Sequence, residues 1–203
     1  MKRRTNIEVR WVVLAAFALG LLNPAAVHAH PQTGSATGFM SGFEHPLSGW
    51  DHILAMVAVG LWGAQLGAPA VWALPVAFPM AMAFGGMLGL MGVPLPGVEM
   101  GIAVSALVLG AAVLAESRPP LWLAGIIVGF FALFHGHAHG TELPPGSSGL
   151  LYSIGFVVAT GTLHGCGILL GLFHHWRGGQ ALIRTAGAVV AVGGMVFLWR
   201  IFT

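Results

Sequence analysis

Apolar residues run along this chain in long unbroken stretches, without the alternation of a half-buried strand or the single stripe of a surface helix. A helix that is hydrophobic all round belongs in a large core or a bilayer. Stretches of about 20 residues match a hydrocarbon layer roughly 30 Å thick at about 1.5 Å rise per residue. Six spans are predicted, at approximately Ser48–Gln65, Ala70–Leu90, Val98–Ala115, Leu121–His139, Leu150–Leu172 and Leu182–Phe202. Turn chemistry separates them: Gly67-Ala68-Pro69, Val93-Pro94-Leu95-Pro96-Gly97, Ser117-Arg118-Pro119-Pro120, the Pro144 to Gly149 segment and Arg177-Gly178-Gly179. Connections this short make neighbouring helices antiparallel. Glycines within the spans, such as Gly85, Gly86, Gly89, Gly125 and Gly129, let backbones approach closely. The expected fold is an all-α membrane protein, a bundle of about six transmembrane helices.

The first 29 residues read as a secretory signal peptide, leaving residues 30–203 as one six-helix transmembrane domain. Lys2, Arg3, Arg4 and Arg10 precede an apolar run from Trp11 to Leu22, too short to span, and Val27-His28-Ala29 offers small residues for cleavage before His30. An uncleaved anchor helix is the alternative. Cleavage puts the mature N-terminus in the periplasm. The loops with Arg118 and Arg177–Arg184 then face the cytoplasm, as the positive-inside rule asks, with Arg200 dissenting. The location expected is the bacterial inner membrane.

Composition sharpens this. Hydrophobic residues make up 57% and charged residues 7%, with mean hydropathy +0.86. So little charge cannot cover a water-exposed surface, so the lipid bilayer is the solvent partner. The net charge of +2 comes from a few arginines without a basic patch, which excludes a nucleic-acid partner. A single cysteine, Cys166, excludes an internal disulfide framework. Ten histidines against one lysine is the anomaly, because imidazole is costly in hydrocarbon.

The histidines concentrate in two segments. His45-Pro46-Leu47-Ser48-Gly49-Trp50-Asp51-His52 opens the first span. If helix runs from Pro46, a favoured first-turn residue, then His45, Gly49, His52 and Met56 form one stripe, with Asp51 one step round. Asp51 and His52 offer oxygen and nitrogen to one cation, or the carboxylate orients the ring; the plain alternative is a helix cap and an interhelical bond. Phe134-His135-Gly136-His137-Ala138-His139-Gly140-Thr141-Glu142 closes the fourth span. His135 and His139 share a face, Glu142 joins them if the helix persists, and His137 points away, towards a loop or headgroups, with a lesser reading as a second-site ligand. With antiparallel spans both segments fall at the external end. Glu99, opening the third span, is a ligand or a carboxylate favoured by the helix dipole. His164, inside the fifth span, is a relay ligand or a packing residue. Cys166 reads as a small apolar filler, and His174-His175 as a cytoplasmic loop with a lesser reading as an exit site. Met80, Met87 and Met91 form a thioether stripe suited to copper, but the motifs themselves offer nitrogen and oxygen.

The two motifs resemble the signatures of the HupE/UreJ family of nickel permeases, His-Pro-x-x-Gly-x-Asp-His and Phe-His-Gly-x-Ala-His-Gly-x-Glu, complete at His45 to His52 and at Phe134 to Glu142. The resemblance covers nearly the whole mature chain. It implies secondary transport of Ni2+ into the cytoplasm for hydrogenase or urease maturation. It places the important residues at His45, Asp51, His52, His135, His139 and Glu142, with Glu99 as the acidic residue of the third span. The wider nickel/cobalt transporters carry His-x4-Asp-His, whereas five residues separate His45 from Asp51 here.

The expected activity is therefore a permease for a divalent metal ion, nickel first and Co2+ or copper as alternatives. An intramembrane zinc-dependent hydrolase is the rival from another class. No enzyme activity and no cofactor beyond the transported ion are expected. No Gly-x-x-x-x-Gly-Lys-Ser/Thr loop is present, so a gradient, the membrane potential or trapping by cytoplasmic nickel metallochaperones supplies the drive. A homo-oligomer is compatible with the sequence.

Overall fold

A computed structural model describes residues 38–143, 148–176 and 178–203. The expected signal peptide, residues 1–29, lies outside them. Every regular element among the described residues is helical: α1 Gly38–Ser48, α2 Trp50–Leu66, α3 Ala70–Leu90, α4 Val98–Leu114, α5 Leu121–Thr141, α6 Gly149–Gly171 with a 3-10 turn Leu172–His175, and α7 Gly179–Ile201. Helices α2 to α7 correspond one to one with the six expected spans. Four stretches are long and apolar enough to cross a membrane: Ala70–Leu90, Leu121–Thr141, Gly149–His175 and Gly179–Ile201. Helix α4 is shorter and apolar.

Helix α2 is the axis of the bundle. It packs on α3, α4, α6 and α7, and Ala55, Met56, Ala58 and Val59 are fully enclosed. The outer helices are apolar on their outward sides as well, with Trp72, Val76 and Phe84 of α3 and Trp122, Ile126 and Phe130 of α5 exposed. That inverts the soluble pattern and matches solvation by lipid. The tightest pairs are α3 with α5 and α4 with α7. A Cβ added at Gly136 or Gly140 of α5 would collide with the main chain of α3 at Met82 and Gly86. Glycine there lets the histidine-bearing end of α5 lie against α3.

One expectation about local structure is corrected. The stripe His45–Gly49–His52–Met56 on a continuous helix does not form. Residues 38–48 make a separate helix, Pro46 lies in its last turn, and Gly49 is extended at φ −109° and ψ 122°. The hydroxyl of Ser48 donates to the His45 carbonyl at 2.6 Å, helping to end α1. Asp51 accepts the His52 N–H at 2.8 Å, capping a free donor at the start of α2. Helix α1 is held by α6: a Cβ at Gly42 would meet the Tyr152 carbonyl, and one at Gly155 would meet that of Phe39.

Candidate metal centre

The starts of α2, α4 and α6 and the ends of α1, α3 and α5 share one end of the bundle. Four of the five carboxylates among the described residues belong to that end, namely Glu44, Asp51, Glu99 and Glu142; Glu116 lies at the other. Histidines from three helices meet just inside it. The His52 ring lies 4.7 Å from His135 and 4.6 Å from His139, centroid to centroid, and His45 lies 4.6 Å from His139. His45 Nε2 is 3.1 Å from Glu142 Oε2. His45, His139 and Glu142 each offer a ligand atom, all within 4.8 Å of one another. His45 thus reaches the cluster from α1 rather than along a shared face with His52.

Hydrogen bonds fix two tautomers. A carboxylate only accepts, so the 2.9 Å contact between Asp51 Oδ1 and His52 Nδ1 places a proton on Nδ1, and the neutral ring then carries its lone pair on Nε2. Ser105 of α4 has one hydroxyl proton and donates it to the Ile102 carbonyl at 2.6 Å. At 2.9 Å from His135 Nε2 it must therefore accept, which leaves the lone pair of His135 on Nδ1. His52 Nε2, His135 Nδ1 and both ring nitrogens of His139 are buried without a hydrogen-bond partner. Each orphaned polar atom costs about 1–3 kcal/mol. Clustered lone pairs on neutral imidazoles beside carboxylates are a donor set for a divalent transition metal.

The other expected residues lie around this cluster. Glu99, in the first turn of α4, sits at the exposed rim, near enough to Asp51 and Glu142 to share their field. His164 is buried deeper, and the Phe78 ring stands between it and the cluster, 5.6 Å from His135 and 5.3 Å from His164. His137 is buried rather than at headgroups, and its Nε2–H donates to the Val93 carbonyl at 2.8 Å, tying α5 to the α3–α4 loop. Cys166 is exposed on α6, not packed as filler. The His174 and His175 rings lie 3.8 Å apart, centroid to centroid and tilted by 43°, at the opposite end. Met80, on the outer face of α3, and Met91, just past its end, are exposed, whereas Met87 lines the cavity that also touches His139. A cavity of about 290 Å³ between α3, α5 and α6 touches His139, but its other walls, including Met82, Leu143 and Phe156, are mostly apolar.

Several contributors were not singled out from the sequence. Ser105 is a lone hydroxyl in an apolar span, and only the fold brings it to His135. Phe156, 4.3 Å from His139, and Tyr152, 5.8 Å from His45, wall the cluster from α6. Phe78 falls between Pro75 and Pro79 within one span, an unusual pairing that could have drawn notice.

The HupE / UreJ protein family model matches residues 14–197. The chain belongs to that family. It is 48% identical over 185 residues to Protein HupE of Rhizobium leguminosarum bv. viciae, covering 91% of this chain and 94% of that relative. No solved structure matches.

Proposed function

We propose that this protein is a permease that carries a divalent transition metal, Ni2+ foremost, across the bacterial inner membrane from periplasm to cytoplasm. The observation that carries the reading is the set of four buried, unpartnered imidazole nitrogens on His52, His135 and His139, beside Asp51 and Glu142. The acidic rim of Glu44, Glu99 and Glu142 raises the local concentration of cations at the mouth. The ion exchanges water first for His45, His139 and Glu142, then for the lone pairs of His52 and His135, with Asp51 orienting His52. It continues past Phe78 to His164.

Orientation follows from charge. Arg118 and Arg184 lie at the end away from the cluster, and Arg200 lies at the cluster's end; the two-to-one balance supports a cytoplasmic location for the former end and a periplasmic mouth. Two charges moving inward through 100 mV gain about 4.6 kcal/mol, so uptake needs no coupled ion. Nickel metallochaperones in the cytoplasm receive the ion for hydrogenase or urease maturation. A zinc hydrolase would hold its metal at one site, and a further unpartnered histidine beyond Phe78 would have no use there.

The test is uptake of radioactive nickel by liposomes containing the purified chain. Asp51→Ala is expected to abolish uptake while the protein still folds as judged by circular dichroism. Unaltered uptake in that variant would refute the site assignment, and a tightly held zinc with no uptake by the unsubstituted protein would favour the hydrolase.

A further inference from the structure

We propose that His164, Thr160 and the main-chain carbonyl of Pro75 form a second, inner coordination site for the same divalent cation. This deepens the permease reading and rests on it. Three observations converge. His164 is 1% exposed, and both its ring nitrogens lack a hydrogen-bond partner. Thr160 lies one helical turn earlier on the same face of α6, is fully buried, and its Oγ1 also lacks a partner. Hydroxyls on these helices ordinarily bond back one turn. Thr162 does so to Val158 at 2.8 Å, Ser153 to Gly149 at 2.8 Å and Thr185 to Ala181 at 2.8 Å. Thr160 departs from its neighbours in leaving its oxygen bare.

The third observation comes from α3. Pro79 has no N–H, so the carbonyl of Pro75 four residues earlier loses its helical donor. That carbonyl lies beside the His164 ring, without making a well-formed hydrogen bond to either of its nitrogens. In a bilayer, main-chain oxygens freed from a helix are tolerated where they line a cavity or meet an ion. An imidazole nitrogen, a hydroxyl oxygen and a carbonyl oxygen suit a transition dication. The inner set carries no formal charge, unlike the outer cluster with Asp51 and Glu142. It therefore holds the ion less tightly, as a step before release requires. The chemistry is ligand exchange only, with no bond made or broken in the protein.

The experiment measures Ni2+ bound per chain by equilibrium dialysis on the full-length protein in detergent, alongside liposome uptake. The unsubstituted protein is expected to bind two ions, one weakly. His164→Ala is expected to bind one and to lose most of its uptake. Thr160→Val preserves shape and weakens the inner site by about tenfold, the equivalent of about 1.4 kcal/mol. Pro79→Ala returns an N–H to the Pro75 carbonyl and is expected to weaken the same site with both α6 ligands and the outer cluster intact. If His164→Ala does not fold, the Thr160 and Pro79 variants decide. One ion per unsubstituted chain, with uptake by these variants unchanged, overturns the inner site and leaves the permease standing. Absence of nickel uptake by the unsubstituted protein overturns the permease reading itself.

Discussion

Replacing Ser105 by alanine removes one oxygen and leaves every candidate ligand in place. In the native chain that oxygen accepts the Nε2 proton of His135 at 2.9 Å, because its own proton is committed to Ile102. Without it, the Nε2–H faces a hydrocarbon interior. The ring can rotate, or move its proton to Nδ1, and either change withdraws the lone pair from the cluster. Two magnitudes separate the consequences. A side-chain hydrogen bond between membrane helices is worth about 0.6 kcal/mol and at most about 1.7. That is small against a native stability of about 5–15 kcal/mol, so the bundle survives. Losing the partner that orients a metal-binding histidine costs about 10–100-fold in affinity. Ser105→Ala is therefore expected to weaken Ni2+ binding by that factor, with thermal stability in detergent nearly unchanged. Ser105→Thr keeps the hydroxyl and is expected to recover binding. Nitrogen NMR of the imidazoles reads the tautomer directly. Native affinity in Ser105→Ala, with the His135 proton still on Nε2, would refute the tautomer argument.

Further outcomes follow from packing and ligand chemistry. Gly136→Ala puts a methyl group against the Met82 carbonyl, so a loss of about 1–3 kcal/mol in stability and a lower detergent melting temperature are expected. Gly125→Ala on the same helix meets nothing within 4 Å and is expected to leave melting unchanged or slightly raised. Replacing Met80 and Met91 together by leucine is expected to keep nickel uptake, since both face outward; loss of uptake would revive a thioether path. In competition assays Co2+ is expected to inhibit nickel uptake. Mg2+ in large excess is not, because it prefers oxygen and gives up water reluctantly; strong Mg2+ inhibition would count against an imidazole site.

The spans were legible because a bilayer fixes helix length and tolerates little charge; Ala70–Leu90 coincides with α3 at both ends. Helix α1 was not. Gly38, Gly42 and Pro46 give it poor intrinsic helicity, and its contact with the backbone of α6, through Gly42 and Gly155, is tertiary. His45 shows how a site can be legible when its local geometry is not. Antiparallel packing alone brings the ends of two spans together, so His45 meets His139 whether it rides on α2 or on a helix before it. Ser105 and Thr160 lay beyond reach for the converse reason. A single hydroxyl in an apolar helix usually bonds to its own backbone, and only the neighbouring helices distinguish these two.

The order of donors along the bundle carries a physical argument of its own. Glu142, just past the end of α5, lies seven residues beyond His135, roughly 10 Å along the axis. Formal negative charge is concentrated over that depth, where water still reaches the rim and screens repulsion among Glu44, Glu99 and Glu142. Below it, at His135 and His164, the side chains in contact across Phe78 are neutral rings. A carboxylate placed there would bind a dication more tightly, because a pair of charges gains more as the effective dielectric falls. It would also raise the cost of emptying the site, since the unpaired acid would remain in hydrocarbon. Neutral imidazole avoids both: it loses little when empty and holds the ion less firmly when full. On the proposed permease route, a scarce cation is gathered at a charged mouth and released by an uncharged interior.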